Sequence, residues 1–321
     1  MLNSSDVTAL FGKTADSAEV EQLFRTLNTL ERPELDRDRE AIYHDFVLAR
    51  RAGVELGFVD SNFQQAGPRE LWGRGELLLA QLYLYTAFRD VSTFQGGMPF
   101  GASWGESRRS MRQRLEALES SRHSHLSDTW DVSDKFRLTA FYTEREGALS
   151  SLFLRQMQDP LAPESIPLVP DLASIAESFG NVISDPEFCA VWREALVHAD
   201  IAQGEEDGEI DLLQVCGARL GVAPSAAGGI LKSVTFHRNR DRGSVGWPGQ
   251  LPLRLSFEDS PEVLFQRVGI TPVQAADGRE TGHAVWHFDT FTLHVLYSNI
   301  DNRLLRVKML APGTWRCVED E

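Results

Sequence analysis

The chain carries a long internal repeat, so any fold it adopts has to use one plan twice. Met98-Pro99-Phe100-Gly101-Ala102-Ser103-Trp104-Gly105-Glu106-Ser107 is answered by Leu251-Pro252-Leu253-Arg254-Leu255-Ser256-Phe257-Glu258-Asp259-Ser260. Both stretches read apolar-Pro-apolar, then Ser-aromatic, an acid and a serine, and both run into helix-spaced apolar pairs, Met111 with Leu115 and Leu264 with Val268. Downstream, Trp130, Asp134, Phe136, Leu138 and Tyr142 are matched by Trp286, Asp289, Phe291, Leu293 and Tyr297. Upstream, Phe11-Gly12 recurs as Phe179-Gly180, and Gly53 to Phe58 recurs as Gly217 to Val222. Order is kept throughout, as in a tandem duplication.

Local patterns predict the same plan in each half. A capped helix follows Asp16-Ser17, with Val20, Leu23, Phe24 and Leu27 on one face; its counterpart starts at Ser184-Asp185-Pro186, where proline suits the first helical turn. Alternating Val54, Leu56 and Phe58 predict a half-buried strand entered by a turn at Arg50 to Gly53, with a helix over 38–51 as the competing reading. Residues 60–76 read as a long loop and Leu77 to Ala87 as a strand. Ser107 caps a second helix, and strands are expected over 126–131, 136–143 and 148–156, with a turn at Glu146-Gly147. The second half repeats this with a hairpin over 209–223, a strand over 230–238, a helix from Ser260-Pro261 and strands near 283–288, 291–297 and 304–310. The fold class is therefore α+β, a tandem duplication in which each half is built of two helix-plus-antiparallel-sheet units. Residues 1–158 form the first half, the Pro-rich stretch 159–176 a stiff linker, and 177–321 the second half.

A chain of 321 residues suits two such halves, each large enough for its own core. The net charge of −15 disfavours nucleic acid and anionic membranes as partners and favours basic ones. No basic and apolar leader opens the sequence, and the most apolar run, Leu77 to Tyr85, is too short to span a bilayer. Cys189, Cys216 and Cys317 are odd in number and lack metal-ligand spacing, which fits free thiols in a reducing compartment. The expected location is cytoplasmic.

Several residues invite chemistry. Gly101-Ala102-Ser103-Trp104-Gly105 matches the G-x-S-x-G elbow of serine esterases, which would make Ser103 a nucleophile. Its twin, Arg254-Leu255-Ser256-Phe257-Glu258, lacks both glycines yet keeps Ser-aromatic, so a shared structural role accounts for the pair. His123 and His125 fall in a polar loop, and His283 and His287 share a strand face without a third ligand at metal spacing. No cofactor fingerprint or phosphate-cradling loop is present, so neither cofactor nor metal is expected. The run Gly204 to Asp211 contains Glu205, Glu206, Asp207 and Glu209; it reads as a solvated loop or as an acidic docking surface for a cationic cleft. Trp72, in an Arg-containing loop, either anchors an interface or folds onto the core.

The repeated plan resembles the helix-plus-sheet repeats of the β-lactamase inhibitor protein and of BamE-like folds. It rests on Pro99-Phe100-Gly101, Ser103-Trp104-Gly105, Ser107, Arg108 and Leu115, then Trp130 to Tyr142, with counterparts Pro252 to Ser260 and Trp286 to Tyr297. The opening around Pro99 is also similar to cytoplasmic immunity proteins of bacterial polymorphic and type VI secretion toxins. The resemblance implies a non-enzymatic protein that binds and neutralises a cognate toxin, without transferring any catalytic residue. Acidic charge and a cytosolic target point to a basic nuclease as the partner. A secretion-system chaperone or adaptor is the alternative, with an esterase acting through Ser103 behind it; exposed sheet edges leave a homodimer open.

Overall fold

The computed structural model describes residues 2–35, 43–118, 120–133, 135–144, 147–163, 165, 167–197 and 199–315. Residues 36–40 of the charged stretch, Asp134, Glu146 and Cys317 lie outside them, as does the start of the competing helix over 38–51. The chain divides into two compact units, Met1–Asp159 and Pro160–Glu321, each mixed α+β around a seven-stranded antiparallel sheet.

In the first unit α1 (Ser4–Thr8) and α2 (Ala18–Thr26) precede the hairpin β1 (His44–Ala49) and β2 (Val54–Asp60). A short α3 (Ser61–Gln64) leads to β3 (Leu77–Tyr85). Then come α4 (Arg108–Arg114), β4 (Ser120–His123), β5 (Ser127–Asp131), β6 (Phe136–Tyr142) and β7 (Leu149–Gln156). The sheet order is β1-β2-β3-β7-β6-β5-β4. In the second unit α5 (Leu172–Glu177), α6 (Pro186–Trp192) and α7 (Ile201–Asp207) precede β8 (Glu209–Leu212), β9 (Ala218–Ser225) and β10 (Gly228–His237). They are followed by α8 (Pro261–Val268), β11 (Gln274–Asp277), β12 (Thr281–His287), β13 (Thr292–Ser298) and β14 (Arg303–Leu310). Their order, β11-β12-β13-β14-β10-β9-β8, is the first order read from the other edge.

Four expectations change. The two strand groups of each half are not separate sheets: β3 pairs with β7, and β10 with β14, merging each half into one sheet. Two short edge strands, β4 and β11, had no apolar alternation to announce them, and His123 lies on β4 rather than in a loop. Residues 172–176 of the expected linker belong to α5, because the Asp171 carboxylate accepts from Ser174 N (2.8 Å) and Ile175 is fully buried in the second core. The expected loop over 60–76 contains α3, capped by Asp60, whose side chain accepts from Phe63 N (2.8 Å).

Helices cover one face of each sheet. Val20, Leu23 and Phe24 of α2, with Met111 of α4, pack on Leu56, Leu82, Leu138 and Leu152. In the second unit Phe188 and Trp192 of α6, with Leu264 of α8, pack on Leu220, Phe236, Leu293 and Val307. The repeated glycines mark where backbone meets backbone. Gly53 (φ +68°) and Gly217 (φ +70°) turn their hairpins against a passing segment, and a Cβ would lie 2.3 Å from Ser92 O in one and from Gly246 C in the other.

Gly53→Ala and Gly217→Ala should each destabilise their unit by at least about 2 kcal/mol, since strain at positive φ adds to a backbone clash. Gly12→Ala (φ +86°, open space around the new methyl) should cost only about 1 kcal/mol. Urea unfolding of the three variants checks the order.

Candidate functional site

The stretch resembling an esterase elbow is built twice with the same bonds. Pro99–Gly101 and Pro252–Arg254 each make one tight helical turn, in which Phe100 (φ 55°, ψ 20°) and Leu253 (φ 55°, ψ 23°) are left-handed. The next residues, Gly101 (φ 68°) and Arg254 (φ 57°), are left-handed too. Ser103 N then donates to Glu106 Oε2 (3.2 Å), as Ser256 N donates to Asp259 Oδ2 (2.7 Å). Each acid holds an arginine of the following helix, Arg114 on Glu106 (2.8 Å) and Arg267 on Asp259 (3.2 Å). Ser107 and Ser260 cap those helices through Ser110 N and Val263 N, both at 3.2 Å. The strained residues precede Ser103, which is exposed; among the described residues no histidine bonds to it. The bond that Ser103 and Ser256 make in common comes from the backbone N–H and is part of the turn.

The two copies differ in what the helix holds beneath it. In the first unit Asp128, with no exposed side-chain surface, takes hydrogen bonds from Arg108 Nε (3.0 Å to Oδ2), Arg112 Nε (2.9 Å to Oδ2) and Arg112 Nη2 (2.8 Å to Oδ1). His123 Nδ1 lies 2.9 Å from Oδ1. Arg108 also donates to the carbonyls of Ser124, His125 and Ser127, and its guanidinium lies 5.1 Å over the Tyr142 ring. The arrangement is a clasp that fastens the β4–β5 hairpin to α4. At the matching places the second unit has Pro261, Phe265 and Ala284; Phe265 lies 5.7 Å from Trp286 and 6.2 Å from Tyr297. Neither Asp128 nor its arginines stood out in the sequence as a site. The sequence signals them in that charge replaces apolar residues at three aligned positions, and in that Arg108 is among the residues carrying the resemblance.

Burial is the largest influence on the Asp128 carboxyl and would raise its pKa; the bonds from His123, Arg112 and Arg108 together outweigh it and hold the group well below the usual carboxylate range. Among buried groups of the second unit, desolvation pushes the Cys216 thiol up to about 12, which makes it unreactive. Cys189 donates to Ile183 O. Desolvation, with His283, Lys308 and Arg306 nearby, pulls His294 down to about 4. His283 packs its ring 5.5 Å from that of His294, and His287 Nδ1 lies 2.9 Å from Thr292 Oγ1, so the two do not converge on a metal.

The sequence-derived binding residues fare unequally. Trp72 is not an exposed anchor: it is 8% exposed, stands edge-on to Phe63 (5.1 Å) and Tyr43 (5.4 Å), and donates from Nε1 to Gly67 O (2.9 Å). The acidic run is not a loop. Residues 204–207 end α7, Gly208 (φ 71°) stops it, and Glu209 opens the edge strand β8. Glu205 accepts from Gly229 N (3.1 Å), Asp207 from Gln203 Nε2 (3.0 Å), and Glu209 pairs with Arg219 (2.9 Å); Glu206 is exposed. Among the described residues no cluster of side chains suited to a metal occurs, and no helix is long and apolar enough to cross a membrane. No protein-family model, no curated protein and no solved structure matches the chain.

Asp128→Asn should cost about 2–3 kcal/mol, because the buried side chain loses its charge-assisted bonds from Arg108 and Arg112 and turns an amide NH2 towards their donors. The sign with pH follows from the depressed pKa: the stabilisation is complete above the unfolded carboxylate value of about 4 and is lost as pH falls towards the folded value. Thermal unfolding between pH 7 and pH 2 should therefore show a steeper acid decline for the parent protein than for Asp128→Asn.

Proposed function

We propose that the chain is a tandem duplication of one α+β half, and that it works as an immunity protein. In this reading it binds a cognate secreted toxin, most simply a nuclease acting in the cytosol, and occludes it by surface contact. The shared strand order, the matched left-handed turns and the paired caps support the duplication. They also support a structural reading of the residues that look catalytic.

One observation carries the binding reading. Glu205, Glu206 and Asp207 occupy the last turn of α7, with no basic residue there. A helix C-terminus is the negative end of the macrodipole, so three carboxylates there oppose stability. Gly208 then delivers the chain to Glu209 and Asp211 on β8. Glu205 and Asp207 are each used within the fold, through Gly229 N and Gln203, while Glu206 is exposed; a concentration of charge that its helix end disfavours supports a role beyond folding. A dense negative field on an edge strand suits the capture of a basic surface, where it speeds encounter and sets orientation. An interface of roughly 1,200–2,000 Å² suffices for tight blocking.

Co-expression with the product of the adjacent open reading frame tests this. Toxicity of that product should be relieved; toxicity that persists while its secretion depends on this protein would instead assign an adaptor. The triple variant Glu205→Lys, Glu206→Lys, Asp207→Lys should slow association at least about tenfold at low salt and flatten its salt dependence. Cations suit the helix C-terminus, but Glu205→Lys also removes the bond from Gly229 N, so a slower rate counts as lost steering when the urea midpoint of the variant matches that of the parent.

A further inference from the structure

The first unit holds a cavity of about 390 Å³, walled by Ser4 and Thr8 of α1, Met98 before the proline turn, Val132 and Phe136 at the β5–β6 turn, and Leu154 of β7. That volume is in the range of built binding sites rather than packing voids. Its walls are fixed. Ser4 N donates to Gly97 O (2.9 Å), and Gly97 N donates to the Asn3 side chain (3.2 Å). Any side chain at Gly96 would strike Leu2 O, so α1 is seated directly on this segment.

The second unit shows what such a space accommodates. Asn3 and Asp171 both stand at the helix N-cap, and Val7 and Ile175 are both buried, which aligns Ser4 with Leu172 and Thr8 with Ala176. Val132 N bonds to Phe136 O, and Phe288 N to Phe291 O, both at 2.9 Å, which aligns Val132 with Phe288. Leu172 and Phe288 pack against the second core. The first unit thus has serine where its counterpart has a leucyl group and valine where it has a phenyl group. The remaining walls are conserved in kind: Pro99 with Pro252, Phe136 with Phe291, Leu154 with Met309. Leaving such a space unfilled sacrifices packing stability. Small residues on two facing elements open it together.

We infer that this cavity receives a leucine or phenylalanine side chain projecting from the partner polypeptide, which takes the place that Leu172 and Phe288 fill in the second unit. Burying one such anchor in a preformed apolar pocket is how a few residues come to dominate an interface. Phe100, 44% exposed, adds apolar lining, while Ser5 and Thr8 add a polar side. The inference rests on the reading of this protein as a binder of another polypeptide and adds to it the place and chemistry of the anchor.

The test needs no partner. N-acetyl-leucinamide and N-acetyl-phenylalaninamide are titrated into the full chain, with N-acetyl-glutaminamide and heptanoate as comparisons, while methyl NMR follows Met98, Val132 and Leu154. The two apolar amides should give saturable shifts at these methyls with Kd on the order of millimolar. The glutamine amide should give none. Ser4→Leu/Val132→Phe, which copies the second unit, should melt no lower than the parent and lose the response; Ser4→Leu alone serves if the double variant does not fold. Absence of saturation, or shifts that survive in the filled variants, overturns the inference, and saturation by heptanoate alone reassigns the cavity to an acyl chain. Toxin neutralisation by the parent protein is scored separately, so failure of the pocket and failure of the immunity reading are distinguishable.

Discussion

Each half is held together by one antiparallel pairing between strands far apart in the chain. Leu82 faces Leu154 and Leu84 faces Leu152 where β3 meets β7; Val234 faces Met309 and Phe236 faces Val307 where β10 meets β14. All eight side chains are buried. Closing so long a loop is an entropic cost that the apolar contact must exceed. This explains why Leu77 to Tyr85 is the most apolar run of the sequence: it is an interior strand and not a membrane segment. Without that pairing, the β1–β3 and β4–β7 groups would be two small sheets, each with an open edge.

On that common frame the two halves spend their differences in separate places. Beneath α4 the first unit buries a carboxylate among arginines, where the second packs Phe265 against Trp286 and Tyr297. A buried ion clasp gains less net stability than an apolar filling of the same space, because desolvation opposes it. It does fix the β4–β5 hairpin through directed bonds that an apolar filling would not supply. Beside α1 the first unit has a cavity, while at the matching positions of the second unit Leu172 and Phe288 pack against the core. The second unit places its anomaly elsewhere, in the acidic last turn of α7. The proline turns, caps and hairpin glycines stay the same in both because they set the path of the backbone.

Much of the fold was legible, for identifiable reasons. Alternation announced β2, helical spacing announced α2, and Ser-Pro announced α8. β4 and β11 were missed because four-residue polar edge strands carry no burial pattern; their partners in the sheet create them. The acidic run read as a loop because charge and Gly204 masked a helix capped by Asp200, whose side chain accepts from Gln203 N (3.0 Å). Trp72 looked available because its neighbours Arg69, Arg74 and Glu70 are polar. The two rings that cover it, Tyr43 and Phe63, come from elsewhere in the chain and could not be placed from sequence.

The sequence alone established where the turns and caps of two similarly patterned halves fall, and that the stretch around Ser103 has a counterpart around Ser256. Those features are local, governed by backbone conformation and spacing a few residues apart. Only the tertiary structure decided that each half is a single sheet, that Asp128 is clasped, that Trp72 is buried and that a cavity stands open beside α1. Each of these depends on which distant side chains share a space, and that is settled by long-range strand pairing and packing, for which neighbouring residues carry no signal.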